Sequence, residues 1–183
     1  MESKWSVREM ALIAIMAAVT CVLGPLSLPI GPVPISLTNF AVYLAVYILG
    51  GKRGTISYIV YLLIGMAGVP VFSGFTGGFG KLFGPTGGYL MGFILMALIC
   101  GWFIDRMHQK FVWSMVGMIL GTIVCYAFGT VWLAYQAQLP MMAALAAGVL
   151  PFIPLDLAKM VVAAVVAPQI RCRLAKAQIC REA

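Results

Sequence analysis

Charge is what this chain has least of. Only 9% of its 183 residues are charged, five of them acidic, and His108 is the single histidine. A water-soluble domain needs a polar exterior, and 63% hydrophobic content at a mean hydropathy of +1.04 cannot supply one. The same scarcity removes most acid–base and nucleophilic chemistry. An intramembrane hydrolase needs a Ser–His or Ser–Lys dyad, or paired aspartates, at membrane depth. Here His108 falls in a loop, Asp156 is the one acid inside an apolar run, and Ser57 is expected at the opposite end of the bundle from Lys159. Five cysteines (Cys21, Cys100, Cys125, Cys172, Cys180) have neither disulfide-framework nor metal-site spacing. No G-x-x-x-x-G-K-[ST] run occurs; "GFGKLFG" comes nearest and is not one, so the chain carries no ATP site of its own. No cofactor or metal is implied.

What the chain has instead is long apolar runs. A membrane helix needs about 20 mostly apolar residues, and six candidates run roughly 7–28, 35–50, 54–71, 86–104, 111–134 and 149–170. Continuous rather than alternating hydrophobicity disfavours a β-barrel. The expectation is an all-α integral membrane protein of six transmembrane helices, a single domain over 1–183 set in the lipid bilayer. The breaks are chemically legible: "GPLSLPIGPVPIS" with four prolines, "GGKRG", "FSGFTGGFGKLFGPTGGY", "DRMHQK" and "QAQLPMM". With the N-terminus inside, Lys4, Arg8, Lys52, Arg53, Arg106, Lys110, Arg171, Arg173, Lys176 and Arg181 all become cytoplasmic. That is ten of the twelve Lys and Arg residues, which places both termini in the cytoplasm. The net charge of +7 thereby follows from topology, with no nucleic-acid partner required. The first apolar segment is full length and lacks an A-x-A site, so no cleavable signal is expected.

Two cations escape that pattern, and Lys159 does so inside a span. Asp156 and Lys159 stand at i and i+3 in "PFIPLDLAKM", on one helix face. Pro154 suits the start of that helix, which puts the carboxylate in the first turn, where the helix dipole favours negative charge. Counting back from Arg171 at about 1.5 Å per residue sets Asp156 about 22 Å from the inner surface, in the outer half of the membrane. Two readings stand: an ion pair that pins the sixth helix, or a ligand site, the default for charge within a membrane. The outer loops favour the second. "SLPIGPVPISLTNF" and the loop around Lys81 are long, apolar and rich in glycine and aromatics, suited to covering a small solute.

"GPVPISLTNF", "KLFGPTGGYLMGF" and "PFIPLDLAKM" together resemble the BioY family, the biotin-specific S components of energy-coupling factor (ECF) transporters. The resemblance covers nearly the whole chain, with Leu155 in place of the family's glycine before the aspartate. It implies an ECF S-component fold in a prokaryotic cell membrane, without enzymatic activity, that binds biotin near the outer face under the first outer loop. It also implies a separate energising module, made of a transmembrane coupling protein and two ABC ATPases. Rival readings are an intramembrane hydrolase, and a channel or structural membrane protein.

Set against biotin, Asp156 and Lys159 suit the ureido N–H groups and carbonyl, with Asn39 as a further candidate. Val33, Ile35, Phe72, Phe79 and Tyr89 are candidates for apolar walls. The carboxylate wants donors, either from Thr86, Gly87 and Gly88 or from Lys159, and the sequence leaves open which end meets Lys159. Ala14 and Ala18 have small-xxx-small spacing, which serves packing within the bundle or against a partner helix. The resemblance implies that this A-x-x-x-A surface docks the coupling protein.

Overall fold

The structure, a computed structural model, describes residues 6–29, 33–107 and 110–176. Lys4, His108, Cys180 and Arg181 lie outside them. Each of the six expected segments holds a helix, but the ends fall differently. The first, α1 (Val7–Leu23), opens with Ser6 and Glu9 in a reciprocal capping box and stops before Gly24–Pro25, five residues short of expectation. The chain then forms a two-stranded antiparallel hairpin, β1 (Ser27–Leu28) with β2 (Ile35–Ser36), in which Ser27 pairs with Ser36 and Leu28 with Ile35. These residues had been read as helix ends. Flanking prolines, which cannot continue a helix, release them into strand pairing.

After the hairpin comes α2 (Thr38–Leu49), the centre of the bundle, with every residue but Phe40 buried. It packs against α1 and the last helix, α8 (Ile153–Lys176), and against α3 (Gly51–Met66) and α5 (Gly87–Arg106). "GGKRG" is not the loop it was expected to be. Gly50 alone turns the chain, at φ 84°, which side-chain-bearing residues rarely adopt, and α3 begins at the next residue. Two cations in a helix's first turn oppose its dipole. The opposition is met from elsewhere: Asp105 on α5 accepts from the Gly51 N–H at 2.8 Å, and Glu9 pairs with Arg53.

The remaining elements are α4 (Phe79–Leu82), α6 (Phe111–Gln136), α7 (Met141–Gly148) and α8 (Ile153–Lys176). The short α4 and α7 lie in connections expected to be irregular. The α5–α6 pair is the most extensive contact, closing where Gly117 and Gly121 meet Phe103, Cys100 and Met96. Small residues there let two helices approach closely. By length and composition α5, α6 and α8 are each apolar enough to cross a membrane. Their outward faces are greasy: Trp102 is 60%, Val131 57% and Val165 49% exposed. Polar groups are turned inward instead. Tyr43, Tyr58 and Tyr61 are fully buried, and their hydroxyls bond Thr122, the Leu90 carbonyl and the Val71 carbonyl. This inversion of the water-soluble pattern is that of a chain solvated by lipid.

Candidate functional site

At the hairpin end of the bundle a cavity takes in about 620 Å³ of empty space, its open mouth included. Val33, Pro34 and Ser36 of the hairpin region cover one side. Thr38 and Asn39 enter at the start of α2, and Ser73 from the connection after α3. The walls are apolar: Leu90, Phe93 and Met96 from α5, Cys125 from α6, and Phe152 just before α8. Polarity concentrates on the α8 side. Asp156 sits in the first turn of α8, as the placement of Pro154 led one to expect, with 6% of its side chain exposed.

Three groups, Ser36, Asn39 and Tyr126, meet around the Asp156–Lys159 pair. Lys159 Nζ donates to Asp156 Oδ1 at 3.0 Å, to Asn39 Oδ1 at 3.1 Å and to the Ser36 carbonyl at 2.8 Å. Tyr126 on α6 donates its hydroxyl to Asp156 Oδ2 at 2.6 Å. An ion pair out of water is tolerable only with its remaining valences met, and here they come from three other elements. The third spoke matters most for shape: through Ser36, the pair holds down the hairpin that covers the cavity.

The expected residues divide cleanly. Asp156, Lys159, Asn39, Thr86, Tyr89 and Val33 line the cavity. Ile35, Phe72, Phe79, Gly87 and Gly88 do not. Ile35 is the strand neighbour of Ser36 and so faces the other way, into the core. Phe72 is fully buried with its ring against Tyr61, 5.6 Å between centroids, while Phe79 is 61% exposed on α4. Gly87 and Gly88 serve packing: a Cβ on Gly87 would stand 1.6 Å from the Leu82 carbonyl, and one on Gly88 2.3 Å from Trp132 Cβ. Lys81, the loop cation, lies on α4, where partial burial lowers its pKa from the ordinary value.

Sequence reasoning missed Tyr126 and Thr122. A signal was available, since Ser114, Thr122, Tyr126 and Thr130 recur at four-residue multiples along an otherwise apolar helix. Polar residues on one stripe of such a helix face the interior rather than lipid. Ala14 and Ala18 are exposed, whereas the opposite stripe of α1 (Ile13, Met16, Ala17, Thr20) is buried against the bundle.

A helical bundle that is apolar outside and keeps an ion pair beside a mostly apolar cavity has the build of a membrane solute-binding protein. Its fold matches a crystal structure described as the S-component for biotin from an ECF-type ABC transporter, with a TM-score of 0.85 and 31% identity. The match covers 93% of this chain and 94% of that one. The BioY family model matches residues 1–176, and the chain belongs to that family. Two relatives, each named biotin transporter BioY, are 38% identical: that of Thermotoga maritima over 164 residues (90% of this chain, 96% of the relative) and that of Rhizobium etli over 170 residues (87% and 90%).

Proposed function

We infer that this chain is the biotin-capturing S component of an ECF-type importer, a transport subunit and not an enzyme. The observation that carries the reading is the polar cluster of Asp156, Lys159, Asn39 and Tyr126 at one side of a mostly apolar cavity. Biotin has the matching polarity: a polar cyclic urea at one end, a thioether ring and alkyl chain for the apolar walls, and a carboxylate at the far end. The names of the relatives and of the matching structure support the same substrate. Purified protein titrated with radiolabelled biotin is expected to bind it saturably, and absence of saturable binding overturns the assignment.

The reading extends to six membrane spans, cytoplasmic termini and the prokaryotic cell membrane, supported by Arg8, Lys52, Arg53, Arg106, Lys110, Arg171, Arg173 and Lys176, the described basic residues at or near the helix ends of one side. A cysteine replacing exposed Phe79 is expected to react with an impermeant thiol reagent added to cells, in a background lacking Cys172 and Cys180. One replacing exposed Lys52 is expected to stay unlabelled until the membrane is opened. The reverse pattern inverts the orientation. Energy must come from partners, a transmembrane coupling protein with two ABC ATPases, and the exposed Ala14–Ala18 stripe is the surface proposed to receive the former.

Thr86 is proposed to meet the ligand directly. The residue lines the cavity, and its buried hydroxyl has no hydrogen-bond partner within the described residues. Leaving such a group unsatisfied costs roughly 1–3 kcal/mol. Thr86→Val removes the unmet hydroxyl while conserving shape. The ligand-free variant is expected to melt at or above the wild-type temperature, while biotin binds about tenfold more weakly. A variant with unchanged affinity would mean the hydroxyl does not touch the ligand.

A further inference from the structure

Where α5 hands over to α6, two cations stand without an anion. Arg106 closes α5 and Lys110 caps the start of α6, and both are exposed. The connection is tight, with the Lys110 N–H donating to the Met107 carbonyl at 3.2 Å. Three of the chain's five acids are described, and none is paired with either cation. Asp156 holds Lys159, Glu9 holds Arg53, and Asp105 is turned toward α3, where it accepts from the Gly51 N–H. Two exposed indoles complete the surface: Trp102, one turn before Arg106 on the same face of α5, and Trp113, one turn after Lys110 on α6. The Trp102 ring packs edge-on against Phe103, 4.9 Å between centroids. Gly117, one turn beyond Trp113, meets the Phe103 side chain, so both indoles border one seam. Trp132 gives its N–H to the Gly84 carbonyl, but the indole N–H groups of Trp102 and Trp113 are bonded to no described residue.

Every polar group here donates, and an apolar surface leads up to it. Along α5, Leu95, Leu98 and Trp102 are exposed on the stripe that ends in Arg106. That is the polarity of a glycerophospholipid, with acyl chains along the stripe and a phosphodiester at its charged end. We propose that the α5–α6 turn is a binding site for an anionic phospholipid. Arg106 and Lys110 hold its phosphate, and the two indoles seat the boundary between headgroup and chains, their N–H groups facing the headgroup. A headgroup of net negative charge is preferred to a zwitterionic one, whose own cation the same two residues repel. Topology alone asks only for positive charge at this end of the bundle. It does not ask for unbonded indole donors beside that charge. The seam belongs to α5 and α6, whereas α1, with the proposed docking stripe, packs on α2 and α3. The site therefore depends on the chain lying in a bilayer, and on neither biotin nor the coupling protein.

The test titrates the purified full chain, carrying Trp5→Phe, in neutral detergent micelles. The two lipids are phosphatidylglycerol and phosphatidylcholine with the same brominated chains, which quench indole emission on contact. Phosphatidylglycerol is expected to reach half-quenching at about fivefold lower concentration than phosphatidylcholine. Arg106→Gln with Lys110→Gln is expected to bring the two lipids within about twofold of each other. Arg173→Gln with Lys176→Gln removes the same charge from the end of α8 and is expected to leave the preference intact. Equal quenching by both lipids at the start overturns the proposal, as does a preference that survives Arg106→Gln with Lys110→Gln. Equal loss in the two double variants overturns it too, since net charge would then act without a site. Biotin affinity in the same samples checks that each variant is folded. Should the first double variant fail that check, Arg106→Gln and Lys110→Gln decide singly, each expected to lower the preference about twofold.

Discussion

Asp156→Asn is expected to weaken biotin binding by at least a hundredfold and to lower the melting temperature of the ligand-free protein. The carboxylate anchors two groups, the Lys159 ammonium at 3.0 Å and the Tyr126 hydroxyl at 2.6 Å, in a place almost closed to solvent. Asparagine keeps the volume but removes the charge and turns an NH₂ toward one of the two donors. Lys159 is left cationic beside neutral oxygens alone. Breaking a buried pair from one side costs about 3–5 kcal/mol, and each 1.4 kcal/mol is tenfold in an equilibrium constant. The loss divides between folding and binding, so radioligand affinity and thermal melting are measured together. Tyr126→Phe, which removes one bond and no charge, is expected to lose only about tenfold. Asp156→Asn binding within threefold of wild type would make the pair a structural pin and place the ligand elsewhere.

The second large effect is expected where no ligand binds. Ala14→Trp or Ala18→Trp should leave biotin affinity unchanged while reducing co-purification with the energising module, and biotin uptake, by tenfold or more. Both alanines are exposed, and the stripe of α1 that holds it to α2 and α3 lies on the other side, through Ile13, Met16, Ala17 and Thr20. An indole at either position therefore points away from the chain's own core. Helix association in lipid depends on close approach of small residues, and a bulky side chain holds the partner backbone off. Overpacking a tight contact generally costs about 1–3 kcal/mol. Intact co-purification would remove the docking assignment; lost affinity would mean that α1 supports the cavity.

How much of this was legible in the sequence depended on whether the governing interaction was local. Each apolar run holds a helix, and three of those helices, α5, α6 and α8, are long and apolar enough to cross a membrane, because lipid burial acts along each segment independently. Pro154 and the spacing of Asp156 and Lys159 were enough to place the pair in the first turn of α8. The α2–α3 junction was not readable. Two cations after paired glycines look like a loop, and they start a helix only because Asp105 and Glu9 arrive from distant elements. Ser36 lines the cavity in place of the expected Ile35 because a strand alternates where a helix had been expected. Phe72 and Phe79 show the limit of composition: an aromatic in a glycine-rich loop has no signature that separates core from surface. Tyr126 was hidden for a different reason. Its value comes from Asp156, thirty residues away in sequence and one hydrogen bond away in space.

The shortness of α2 bears on the distance a solute must still travel. Its twelve residues span only about 18 Å. Asn39, at one end, borders the cavity, and near the other end the Tyr47 carbonyl accepts from Arg171 at 3.0 Å. A bilayer's hydrocarbon layer is about 30 Å thick. On the orientation proposed above, a molecule seated against Asn39 has roughly two-fifths of that thickness behind it while still held by the protein. On the transport reading proposed above, a displacement of about 18 Å, close to the length of one short helix, is what separates the captured solute from the level of Arg171.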